Sequence, residues 1–177
     1  MKKKIFAISG STRLNSSNVK LIRLLAALTT EIFEITIFEG LDELPHFNPD
    51  LDNPAVSDKV KTFRQQINEA DGVIICSPEY VFSMPGSLKN ALEWCVSTTV
   101  FSGKPLGIIT AAASGEKAHE QLKLVLKTIE TKFNQETTLL IQGIKGKMDA
   151  DGNVKDPQTL EQIGKFILGF EMLVNSI

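Results

Sequence analysis

Short runs rich in β-branched residues alternate with longer stretches of helical periodicity along this 177-residue chain, and that order leaves few folds open. Residues 5–9 predict the first strand, and Phe33–Phe38, Phe-Glu-Ile-Thr-Ile-Phe, the second. Val73, Ile74, Ile75 and Cys76 are apolar without a break, the signature of a strand buried on both faces. Strands 4 and 5 are expected at 106–113 and 137–141. Helices are expected at 18–28, 56–70, 85–94 and 116–133, and a last one begins at Asp156-Pro157, an aspartate cap followed by proline in the first turn. Pro45, Pro49 and Pro54 argue against regular structure in the polar segment 39–54. Parallel neighbours need crossover connections, so five strands separated by helices predict an α/β protein with one five-stranded parallel sheet of order 2-1-3-4-5, covered on both faces. Ligands on such a sheet bind beyond the carboxyl ends of the strands, where the order reverses between strands 1 and 3. The functional loops are therefore expected after strands 1, 3 and 4.

Nothing in the composition divides the chain, and a single domain over 1–177 is expected. The net charge is only −2 with both signs interspersed, so no broad basic field is offered to nucleic acid. The basic amino-terminal tip is followed by four apolar residues, short of the roughly 7–15 of a secretory signal, and no stretch of about 18 apolar residues predicts a membrane span. A cytoplasmic protein is expected. Cys76 and Cys95 are too few for a disulfide framework and read as small buried hydrophobes. His46 and His119 belong to no cluster at metal-ligand spacing, and neither a nucleophile elbow nor a triad can be drawn from scattered residues. Residues 149–156, Asp-Ala-Asp-Gly-Asn-Val-Lys-Asp, read as a polar turn, since a calcium loop needs a glutamate at its twelfth position.

Between strand 1 and helix 1 lies Gly10-Ser11-Thr12-Arg13-Leu14-Asn15-Ser16-Ser17-Asn18. The first N–H groups of a helix have no internal partner and carry the positive end of its dipole, so this order of elements can build an anion site. Ser11, Thr12, Ser16 and Ser17 supply hydroxyls, Asn18 an amide and Arg13 a permanently charged fork. The alternative is that Asn15, Ser16 and Ser17 only cap the helix, where such residues lead in any case. The loop lacks the Gly-Lys-[Ser/Thr] ending of a triphosphate loop and the later glycines of a dinucleotide fingerprint.

After strand 3 the chain reads Ser77-Pro-Glu-Tyr-Val-Phe-Ser-Met-Pro-Gly-Ser-Leu-Lys-Asn-Ala91. With the first loop this resembles the NADPH-dependent FMN reductase family, which includes flavodoxin-like quinone and chromate reductases. The family pattern Gly-Ser-x-Arg-x-x-Ser-x-Asn is met at Gly10, Ser11, Arg13, Ser16 and Asn18. The pattern Pro-Glu-Tyr-Asn-x-Ser-x-Pro-Gly-x-Leu-Lys-Asn-Ala is met at Pro78, Glu79, Tyr80, Ser83, Pro85, Gly86, Leu88, Lys89, Asn90 and Ala91.

The resemblance implies a flavodoxin-like three-layer sandwich and an FMN-dependent oxidoreductase that moves hydride from NADPH or NADH through FMN to a quinone, free flavin or other small oxidant. By the same resemblance Ser11, Arg13, Ser16, Ser17 and Asn18 hold the FMN phosphate. Pro78, Glu79, Tyr80, Val81 and Phe82 lie along the flavin ring, with the backbone N–H groups of Glu79, Tyr80 and Val81 toward its polar edge. Ser114, Gly115 and Glu116 meet the ring from the other side. No side chain is assigned a catalytic role and no metal is implied, because the cofactor carries the hard step. The resemblance also implies a homodimer or homotetramer. Two positions depart from the pattern: Val81 stands where the family has asparagine, and the turn after strand 4, Ala112-Ala-Ser-Gly-Glu-Lys-Ala-His119, is shortened. A carrier of flavodoxin type without NAD(P)H activity shares fold and FMN site, but would be expected to present a strongly acidic docking face. A relative that has lost its cofactor and only binds partners is the third reading left by Val81 and the short turn.

Overall fold

All five strands end at one rim, and the parallel register fixes which loops meet there. The structure, a computed structural model, describes residues 1–13 and 15–177; Leu14, inside the first predicted loop, lies outside the described residues. The strands are β1 (Lys3–Ser9), β2 (Phe33–Phe38), β3 (Gly72–Ser77), β4 (Leu106–Ala112) and β5 (Thr138–Gln142). All pair in parallel in the order β2-β1-β3-β4-β5, as the alternation of apolar runs predicts. Ser9 stands beside Cys76, Ser77 beside Thr110, and Ala112 beside Gln142, so the chain leaves β1, β3, β4 and β5 at one level.

The helices are α1 (Ser17–Leu28), α2 (Asp58–Glu69), α3 (Gly86–Glu93), α4 (Glu116–Thr128), a four-residue α5 (Ile144–Lys147) and α6 (Pro157–Asn175). Alternate side chains of the central strands feed two cores. Phe6, Ile8, Val73, Ile75, Leu106 and Ile108 pack with Phe63 of α2, Leu88 of α3 and Leu122 of α4. Ile5, Ala7, Ile74, Cys76, Ile109 and Ala111 pack with Ile22 of α1 and Phe166 and Phe170 of α6. Both faces of β3 are buried throughout, which is why its sequence shows no alternation.

Three local expectations need correction. Helix 4 was expected to reach Phe133, but α4 ends at Thr128. The chain turns at Glu130, whose φ is 62°, and Lys132 then runs extended beside Pro105. Ile129 and Phe133 still face the same core, so the apolar spacing outlasts the helix. The proline-rich segment 39–54 holds two single 3-10 turns, Leu41–Glu43 and Pro49–Leu51. It is tied down by Arg64 of α2, which donates to Asp52 at 2.8 Å and to the Trp94 carbonyl at 2.6 Å, while Ser97 Oγ also donates to Asp52. Burial works against the charged Asp52, yet the hydrogen bonds from Ser97 and Arg64 outweigh it and hold the carboxyl below its ordinary value. The third correction is α5, a short helix for which four residues gave no periodicity to read.

Cys76 and Cys95 are buried free thiols, and burial raises the pKa of both, of Cys95 to about 12. Asp149 accepts from the backbone N–H groups of Asp151 and Asn153, closing the polar turn. No helix of the described residues is long and apolar enough to cross a membrane.

Candidate functional site

At the rim, the loops after β1, β3, β4 and β5 enclose a cavity of about 460 Å³, within the roughly 300–1,000 Å³ of small-molecule sites. Of the residues expected there, Ser11, Arg13, Ser16, Ser17, Asn18, Pro78, Glu79 and Tyr80 line it. Val81, Phe82, Ser114, Gly115 and Glu116 do not. Asn15, the chain from Ala111 to Ala113, and Gly143, Ile144, Lys145 and Gly146 complete the wall.

The first loop is fixed by its own hydroxyls. Ser9 Oγ donates to the Ser11 carbonyl at 3.2 Å and accepts the Ser11 N–H at 3.3 Å, and Ser11 Oγ accepts the Arg13 N–H at 3.3 Å. Ser16 is the N-cap of α1, its Oγ accepting from Val19 N–H at 3.1 Å. Capping leaves the Ser16 hydroxyl proton free to donate, so the cap reading and the anion reading hold together at this residue. Asn18 faces inward: its Nδ2 donates to the Ala111 carbonyl at 3.3 Å, and its Oδ1 accepts from the Cys76 thiol at 3.2 Å. It pins the start of α1 across β3 and β4. Arg13 is exposed at the cavity.

The loop after β3 is a two-residue hairpin turn. Tyr80 and Ser83 exchange backbone hydrogen bonds of 2.9 and 3.0 Å, and the residues between them have left-handed backbones, φ 51° at Val81 and 58° at Phe82. This corrects the expectation for Tyr80, whose N–H is engaged within the turn. The N–H groups of Glu79 and Val81 meet no backbone or side-chain acceptor among the described residues. Tyr80 is 47% exposed, and Val81 and Phe82 stand out at 94% and 72%. A β-branched residue in this conformation is strained, whereas asparagine enters it readily. The departure at Val81 is thus a matter of backbone as well as side chain. Val81→Asn is expected to raise stability by about 1 kcal/mol, or roughly 2–4 °C in melting temperature; an unchanged or lower melting point in calorimetry would contradict the strain.

Glu79 holds the loops after β3 and β4 together. Its carboxylate accepts from Gly115 N–H at 3.1 Å and Ala118 N–H at 3.0 Å, so it caps α4 from a different loop. The helix needs that cap because its own N-cap is Gly115, at φ 89°, which offers no side chain. A Cβ at Gly115 would come within 3.0 Å of Leu140 Cδ1 and 3.2 Å of Thr110 Cγ2 on a left-handed backbone, so any side chain in this short turn would be strained. Ser83 Oγ donates to Gln121 Oε1 of α4 at 2.6 Å, a second tie between the same parts. Glu116 points away and accepts from Gln142 at 3.1 Å.

Beneath this rim His119 is buried and hydrogen-bonded through Nδ1 to Thr110 Oγ1 at 2.9 Å. Burial, with a smaller push from Lys123, lowers its pKa from 6.5 to about 4, Glu120 acting the other way. It is uncharged at neutral pH. Because the unfolded chain binds a proton that the folded one refuses, stability should fall as pH drops from about 6.5 to 4, by up to about 3 kcal/mol. Urea unfolding of His119→Gln should show a flatter pH profile over that window than the native chain. Equal profiles would remove His119 from the acid response.

A five-stranded parallel sheet of this order, with the loops after β1, β3, β4 and β5 around one cavity at the switch point, defines a flavodoxin-like protein. Residues 3–144 match the model of the NADPH-dependent FMN reductase family, and the chain belongs to that family. It is 33% identical over 172 residues to a 2-hydroxy-1,4-benzoquinone reductase from Burkholderia sp, covering 93% of this chain and 92% of that one. It is 32% identical to an NADPH:quinone oxidoreductase from Arabidopsis thaliana, over 95% and 90% of the two chains. The solved structure of FerB, a flavoenzyme NAD(P)H:(acceptor) oxidoreductase from Paracoccus denitrificans, superposes with a TM-score of 0.87 at 28% identity, covering 98% of each chain. The protein is therefore an oxidoreductase of a family that works with FMN and NAD(P)H, which favours the enzyme over the electron carrier.

Proposed function

We propose that FMN occupies the cavity at the rim and that the enzyme reduces quinones or other small oxidants at the expense of NAD(P)H. The observation that carries this reading is the meeting of the α1 amino-terminal loop and the Pro78 to Tyr80 chain across one cavity of about 460 Å³. The residues fit the group: hydroxyls of Ser11, Ser16 and Ser17, the free donors of a twelve-residue helix and the exposed Arg13 suit a phosphate. Pro78 and Tyr80 give the ring an apolar wall, and the N–H group of Glu79 is a donor for its polar edge. When bound, FMN supplies the redox chemistry, taking hydride from the nicotinamide and returning the electron pair to the acceptor.

The chain's own part is to position and to polarise. The Glu79 carboxylate holds the hairpin against α4, so the N–H group of the same residue stays aimed during turnover. A flat acceptor docks beside Tyr80, where the neighbouring Val81 and Phe82 are exposed and apolar. Quinone reductases among the relatives support that acceptor class. By the same family reading the enzyme self-associates as a homodimer or homotetramer. Two cores on the two faces of one sheet support a single domain over 1–177, and two free buried thiols fit a cytoplasmic setting. Since both substrates must use one ring face, initial rates at several fixed quinone concentrations should give parallel double-reciprocal lines. Intersecting lines would mean that both substrates bind at once, and the shared-face reading would fall.

A further inference from the structure

The loop after β5 was not among those expected to touch a ligand, yet four of its residues line the cavity. Gly143, at φ 64°, donates its N–H to the Ala113 carbonyl at 3.1 Å, and Gly146 N–H donates to the Gly143 carbonyl at 2.9 Å. The loop is thus one closed turn tied to the end of β4. At Gly146 the backbone is not left-handed, and a Cβ would meet no atom of the chain within 4 Å. Nothing inside the protein requires glycine there, although glycine in a helical turn is destabilising relative to alanine. A bare backbone facing a ligand cavity is the arrangement that admits close approach of a ligand.

Lys145 stands between the two glycines, exposed and on the same cavity wall. Of the charged side chains that line the cavity, Arg13 and Lys145 are cations, and the one acid, Glu79, is satisfied by two N–H groups of α4. A phosphomonoester carries about −1.5 to −2 charge at neutral pH, more than one guanidinium balances. The family match ends at residue 144, so this lysine lies outside what the family comparison covers. Building on the flavin reading above, the geometry points to Lys145 as the second cation for the FMN phosphate, with Gly146 giving that end of the ligand room against the backbone.

The test is equilibrium binding of FMN and of riboflavin to the apoprotein of the native chain, Lys145→Gln and Gly146→Val, with FMN titrations repeated at two salt concentrations. Lys145→Gln should weaken FMN about 10-fold, leave riboflavin within about 2-fold, and reduce the salt dependence of FMN binding. Gly146→Val should weaken FMN binding by filling the space at the bare backbone. Equal effects of Lys145→Gln on the two flavins, or no effect on either, would overturn the assignment. So would an unchanged FMN affinity together with a KM raised for NADPH and not for NADH, which would give the lysine to a co-substrate phosphate. If the native chain itself binds neither flavin, the flavin reading fails, an outcome distinct from loss of the lysine's role alone.

Discussion

Arg13→Ala is expected to weaken FMN binding by about 10- to 100-fold and to leave riboflavin binding nearly unchanged. The estimate is that of a charge-assisted contact to phosphate, roughly 1.5–3 kcal/mol. Arg13 is suited to this because it is exposed on the cavity wall, while the Ser9, Ser11 and Ser16 hydrogen bonds fix the backbone on either side of it. Those bonds involve backbone and hydroxyl groups only, so removing the guanidinium should leave the loop standing. Fluorescence titration of both flavins against the variant gives the ratio directly. A loss of the same size for riboflavin would put the phosphate elsewhere.

Glu79→Ala should cost about 3 kcal/mol of stability, or roughly 6–12 °C in melting temperature. It removes two charge-assisted hydrogen bonds at once and leaves the start of α4 without a cap. Glu79→Gln keeps one acceptor oxygen but sets an amide N–H against a backbone N–H, so it should recover less than half of the loss. Because the hairpin and α4 are held as a unit, kcat should fall in Glu79→Ala even at temperatures where the fold is intact. A melting point within about 1 °C of the native chain would show that the cap is not needed.

The strands were legible because β-branched runs of five to seven residues between turn signals have few other uses, and the fully apolar 73–76 run placed β3 at the centre. The loops after β1 and β3 were legible because their residue types match a known pattern. What the sequence hid came from contacts between distant segments. Glu79 caps a helix 36 and 39 residues away, whereas a cap signal is looked for within three residues of the helix start. Lys145 joins the site only because β5 pairs with β4 in register and its loop folds back on Ala113. Asn18, expected to face the phosphate, turns inward because Cys76 and Ala111 present a donor and an acceptor at the spacing of its amide. At Val81 the missing asparagine was visible as a lost side chain, but the left-handed backbone that asparagine would suit could not be read from residue types.

The central claim, that this cavity holds an FMN reduced directly by nicotinamide, is tested most directly by the visible spectrum of the FMN-loaded protein under anaerobic conditions. On addition of NADPH or NADH, the absorbance of the oxidised flavin should bleach, and a quinone added afterwards should restore it. A flavin that stays oxidised with both co-substrates while chemical reductant bleaches it would contradict the account.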